Sequence, residues 1–264
     1  LSAEESKELS DRVTAEVKLG RLRRLNLIAT VFFAAQVVLI LVLAGAALPV
    51  LGSFLTDAPG SGQYGSTTLF DLRIDIMVAL FLGLAAIDHL AVGSFARRWY
   101  ERNIVRGINP ARWWEYSISA SIMVVLISML AGVSDVVALI ALFGVNASMI
   151  LLGLVMERAN LGRDEVDWSP FIYGCVAGAV PWIAIAIQLA LSQNEGDGVP
   201  GFVYGIFVSL FILFNGFAVN MWLGYRANGR WKDPLFVERS YIVLSLVAKT
   251  LLAWQVYSGA LAGS

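Results

Sequence analysis

Seven long apolar runs, each near the length needed to cross a bilayer as a helix, take up almost the whole chain after residue 24. They cover 25–47, 72–96, 110–133, 135–156, 169–192, 201–225 and 238–261. About 20 apolar residues span the hydrocarbon core, and a helix satisfies its own backbone polar groups there. A soluble domain of 264 residues has no use for so much apolar surface, at 58% hydrophobic against 15% charged residues. The expectation is an all-α membrane protein, with residues 1–24 as a cytoplasmic segment and 25–264 as a seven-helix membrane domain. Asn109-Pro110 and Asp233-Pro234 read as caps followed by proline at the first helical position, and Pro170 and Pro200 open two more helices. Pro181 lies inside the fifth run, where a local kink is expected.

The cations follow the same frame. Six Lys or Arg precede residue 25, five lie between 97 and 112, two in the fourth loop and four in the sixth. The first, third and fifth loops and the C-terminus hold none, leaving Arg73 and Lys249 over. The positive-inside rule then puts the N-terminus in the cytoplasm and the C-terminus outside. No long basic face forms, which argues against nucleic acid as a partner. One cysteine, Cys175, and one histidine leave no thiolate cluster and make a metal centre an unexpected feature.

Two polar segments have some character. Leu9, Val13 and Val17 recur every four positions within 4–19, which predicts a short amphipathic helix lying on the membrane, on a partner, or simply in solvent. Between 52 and 70, the stretch DAPGSG separates two segments of fair strand propensity and predicts a β-hairpin in the first outer loop.

Few ionisable groups remain inside the runs: Asp75, Asp88, His89, Glu115 and Lys249. Lys249 sits in the middle of YIVLSLVAKTLLAWQVY. A cation at that depth costs about 2.5–3.5 kcal/mol on insertion scales, so such residues mark functional sites by default. It needs an anion, and Glu115 is the best candidate. Glu115 reads equally well as an early-turn carboxylate favoured by the helix dipole. Asp88 also reads as an interfacial carboxylate, and His89 as a hydrogen-bonded core residue. A lysine in a dry pocket condenses with aldehydes once neutral, which in a seven-helix membrane protein points to retinal.

The motifs SYIVLSLVAK (240–249), AWQVYSG (253–259), WWEYSISAS (113–121), ALFGVNASMI (141–150), GCVAGAVPWI (174–183) and VPGFVYGI (199–206) closely resemble heliorhodopsins, from the first run to the last. The resemblance implies a rhodopsin-like bundle with the N-terminus in the cytoplasm, holding covalently bound all-trans retinal. It implies that Lys249 carries the retinal Schiff base and that Glu115 is its counterion. Ser245 and Ser119 stand beside that pair, with His89 in an adjoining polar cavity; Asp88 is added to this network by its place next to His89. Trp113, Asn146, Met149, Trp182 and Phe214 resemble walls of the chromophore pocket, or else ordinary helix packing.

The chain departs from the family pattern in two places. The helix-one stretch where many relatives carry a second histidine reads Phe33-Ala34-Ala35-Gln36, and a small polar residue one turn before His89 is Ala85. After Glu115 no carboxylate follows until Asp135, so the paired-carboxylate pattern of proton pumps is missing along that helix. The expectation is a membrane photoreceptor with a slow photocycle, used in sensing or regulation, and no enzyme. The alternatives are a light-driven proton transporter or light-gated channel, and more remotely an enzyme using Lys249 on another carbonyl. Expected partners are membrane lipid, a second copy in a homodimer with the hairpin at the contact, and an unidentified cytoplasmic signalling protein.

Overall fold

The computed structural model describes residues 3–43, 45–196 and 198–262, with side chains described from 13 to 259. The order is α1 (Ala3–Val42), β1 (Ala47–Leu55), β2 (Tyr64–Arg73), α2 (Ile74–Gly93), α3 (Arg97–Val105), α4 (Pro110–Leu130), α5 (Val136–Ala159), α6 (Ser169–Glu195), α7 (Gly201–Arg226) and α8 (Pro234–Ala262). A 3-10 turn at Gly229–Lys232 links the last two helices. Six helices are long and apolar enough to span a membrane; α8, 29 residues long and carrying Lys249, is the seventh long helix. Many outward side chains are large and apolar, among them Val31, Val38, Ile87, Ile140 and Val176, and this belt suits hydrocarbon. The protein is a multi-pass membrane protein built as a seven-helix bundle.

Three expectations about boundaries are corrected. The short helix at 4–19 is not separate: α1 runs unbroken through it, because no breaker stronger than Gly20 stands between the charged and the apolar halves. Its 40 residues extend about 60 Å, twice the hydrocarbon thickness. The side chain of Leu9 lies outside the described residues; Val13 and Val17 are about half exposed. The first run ends at Val42 rather than 47, since Ala47 already pairs with Arg73 in the hairpin. Residues 97–105, read as loop, form α3.

The hairpin is present but longer than expected, with antiparallel register from Ala47↔Arg73 to Leu55↔Tyr64 and a bulge at Val50/Leu51. It is tied to the start of α5: Leu51 N donates to Ser134 O at 2.8 Å and Ser53 N to Asp135 Oδ2 at 3.2 Å. Asp135 also caps α5, accepting from the amides of Val137 and Ala138. Asn109 caps α4 with Pro110 behind it, accepting from Arg112 N at 3.1 Å. Of the six spans named above α4 is the most buried, which puts its polar residues at the centre of the bundle.

Candidate functional site

The central position of α4 and the apolar length of α8 bring Glu115 and Lys249 together across 134 residues of sequence. Lys249 Nζ donates to Glu115 Oε1 at 2.6 Å, and both residues are buried. The ammonium also lies 5.1 Å from the centre of the Tyr116 ring and 5.9 Å from that of Phe33, so aromatic faces complete its surroundings. This arrangement fits the requirement that a buried cation be paired.

A cavity of about 330 Å³ opens from this ion pair between α4, α5, α6, α7 and α8. Lys249, Ser245 and Ser119 stand at the polar end, and Trp113, Met149, Trp182 and Phe214 form walls. Trp182 is held edge-on to Phe207, Phe211 and Phe214, with ring centres 5.4 to 5.7 Å apart. Trp113 fits against Gly153, where any Cβ would run into the indole ring. The hydroxyls of Ser119 and Ser245 and the indole N–H of Trp113 are buried without a hydrogen-bond partner within the protein. Unsatisfied groups of this kind call for an explanation, and an absent polar ligand atom or water supplies one.

Other sequence-selected residues fall elsewhere. Asn146 is buried one turn before the cavity-lining Met149 and Ile150, and its amide donates to Ser121 Oγ at 3.0 Å, a neighbour that satisfies a polar group in the core. Ser119 does not bond Glu115. His89 lies one helix away from the ion pair, its Nδ1 2.7 Å from Asn26 Oδ1 and its ring stacked on Phe33 at 5.7 Å. The hydrogen-bond partner of His89 on α1 is therefore Asn26, with Phe33 supplying the ring contact; Gln36 instead binds Thr250 and Trp254 on α8. Asp88 is half-buried and makes no ion pair among the described residues.

A second buried cluster was missed in the sequence. Arg112, counted with the loop cations, forms ion pairs with both Glu157 and Glu238, and all three are buried. Asn109 Nδ2 and Tyr100 Oη donate to Glu238 Oε1 at 2.8 and 3.0 Å, and Asn109 N donates to Glu157 Oε2 at 2.7 Å. The available signal was two glutamates at the ends of apolar runs, Glu157 just past the fourth and Glu238 opening the seventh.

The family model for heliorhodopsin matches residues 22–261. The chain belongs to the heliorhodopsin family. Membership makes it a retinal protein of the photoreceptor type, and the site fits that group: a lysine at the polar end of a cavity walled by aromatic side chains, with unpartnered serine hydroxyls beside it. Solved structures agree on the fold. The transmembrane domain of Salpingoeca rosetta rhodopsin phosphodiesterase superposes with a TM-score of 0.64 at 14% identity, over 97% of this chain and 89% of that one. The light-driven proton pump Coccomyxa subellipsoidea rhodopsin gives 0.58 at 17% identity, over 92% and 95%. Exiguobacterium sibiricum rhodopsin gives 0.58 at 15%, over 96% and 98%. No curated protein matches the chain. Among the described residues no group of three His, Cys, Asp or Glu side chains is placed to hold a metal ion.

Proposed function

We propose that this heliorhodopsin is a light sensor or light-driven regulator, with all-trans retinal joined to Lys249 as a Schiff base and Glu115 as the counterion. The observation that carries the reading is the 2.6 Å Lys249–Glu115 pair at the end of the aromatic cavity. Retinal supplies absorption of visible light and a change of shape on isomerisation. The protein supplies the rest. Glu115 Oε1 holds a positive charge at the lysine nitrogen, the Ser119 and Ser245 hydroxyls offer hydrogen bonds beside it, and Trp113, Met149, Trp182 and Phe214 orient the polyene and exclude water. His89, hydrogen-bonded to Asn26, is the candidate acceptor on α2 for a proton displaced from the lysine nitrogen, and Asp88 adjoins it. Glu115 is the one carboxylate on α4, which argues against ion pumping; a slow return to the dark state is what the family likeness implies.

The cation distribution supports a cytoplasmic N-terminus and an outer C-terminus. Homodimerisation through the hairpin, whose Phe54, Leu69 and Phe70 are exposed, and a cytoplasmic signalling partner belong to the same proposal.

The test is the visible spectrum of protein supplied with all-trans retinal. Wild type should form a visible band, Lys249→Ala none, and Glu115→Gln a displaced band. A band that survives in Lys249→Ala refutes the assignment. The competing reading is proton transport, with the half-buried Asp88 as its second carboxylate. Illuminated vesicles that change pH, and cease to do so in Asp88→Asn, would replace the sensor reading with that one.

A further inference from the structure

Away from the retinal cavity, α7 and α8 leave a groove of about 430 Å³ on the outward-facing surface of the bundle at its arginine-rich end, which the proposed orientation makes cytoplasmic. One side is Gly216, Val219, Asn220 and Leu223, a single face of α7 at helical spacing; the other is Phe236, Ser240, Val243 and Leu244 on α8. From Phe236 to Leu244 the groove runs about 12 Å into the hydrocarbon region. Its deep part is apolar, and its mouth carries Arg230 and Arg239.

The mouth is held in place. The Arg230 guanidinium lies 4.6 Å from the centre of the Phe236 ring, which stands edge-on to Trp231 at 5.1 Å. Trp231 Nε1 donates to Asn220 Oδ1 at 3.0 Å, and Asn220 Nδ2 donates to Val237 O at 3.1 Å, locking the wall to both helices. Both arginines are exposed, and among the described residues neither pairs with a carboxylate. Two unpaired guanidiniums over an apolar slot that faces lipid match a phosphate group with an acyl chain beneath it.

We propose that this groove is a binding site for an anionic phospholipid, the phosphate held by Arg230 and Arg239 and one acyl chain lying along Val219, Val243 and Leu244. The lipid is selected by charge at the mouth, and the chain by the apolar depth.

The test uses the full chain in nanodiscs of equal parts phosphatidylglycerol and phosphatidylcholine with identical acyl chains, with retained lipid counted by native mass spectrometry. Wild type should retain phosphatidylglycerol with an enrichment on the order of ten-fold, two arginine–phosphate contacts acting together. Arg230→Gln/Arg239→Gln should lose that enrichment, while Arg98→Gln/Arg102→Gln, which removes two exposed charges elsewhere, should keep it. Equal losses in the two double variants would reduce the effect to general surface attraction and overturn the proposal. An unchanged lipid ratio in the groove variant would overturn it as well. So would a shift in oligomer mass instead, since a second copy of the chain would then be the occupant.

Discussion

Removing either member of the buried ion pair should cost far more than removing both. Unit charges 2.6 Å apart interact by roughly 6 kcal/mol in an effective dielectric of about 20. Desolvation of the two groups offsets much of that, so the pair adds little net stability, whereas a single deletion strands a charge in the core at about 3–5 kcal/mol. In protein free of retinal, Glu115→Gln and Lys249→Met are each expected to lose about that amount. The double variant should lose less than either single one, which puts it below their sum by at least about 3 kcal/mol. Reversible unfolding in mixed micelles, titrated with a denaturing detergent, measures all four corners of the cycle. Losses that add to within about 0.5 kcal/mol would mean that the two groups do not interact, and the site as drawn would be wrong.

Arg112→Met should destabilise the protein by about 3–5 kcal/mol, since Glu157 and Glu238 both lose their partner; Arg112→Lys should rescue little, because one ammonium cannot bridge two carboxylates as a planar guanidinium does, and thermal unfolding reads both. Gly153→Val drives a branched side chain into the Trp113 ring, so a loss of about 1–3 kcal/mol and a reduced yield of the retinal band are expected from unfolding and absorbance together. Hydrogen bonds from Ser53, and then from the amides of Ala138 and Val137, hold the Asp135 carboxyl below its usual range. A depressed folded-state value means its contribution is complete above the ordinary value of 3.8 and is lost as pH falls through the lower folded one. Protection of the Leu51 and Ser53 amides, taken relative to their intrinsic exchange rates, should fall on acidification below that range, and Asp135→Asn should flatten the dependence.

Lys249 and Glu115 were legible because a charge inside an apolar run has one frame of reference, the membrane, and each stood out against it. The hairpin was legible for a local reason, the Pro and Gly of DAPGSG. Arg112, Glu157 and Glu238 were not: each sits near the end of a run among loop charges, and nothing local distinguishes a residue folded inward from one in solvent. Only the packing of α4 against α5 and α8 makes that distinction. Asn26 was hidden in the same way, as its meaning comes from the approach of α1 to α2 and the ring of His89. The Ser121 bond of Asn146 was hidden too, since a family position does not fix which neighbour takes an amide's hydrogen bonds.

The two buried charge groups are one turn apart on a single helix. Arg112 and Glu115 are separated by three residues, so α4 carries the counterion and the centre of the second cluster on one rigid element. Tyr116 adds a cross-link: its hydroxyl donates to Tyr241 O at 3.1 Å, and the Arg112 guanidinium lies 3.9 Å from the centre of the Tyr241 ring. A change in charge or shape at Lys249 therefore has a short packed route to the arginine-rich end without any segment having to unfold. Contiguity is a route and not yet a coupling. Coupling would require that Arg112→Lys alter the rate at which a light-induced absorbance change decays while leaving the dark spectrum in place; an unaltered decay would make the second cluster a structural brace, with the output of the site leaving through α2 and His89 instead.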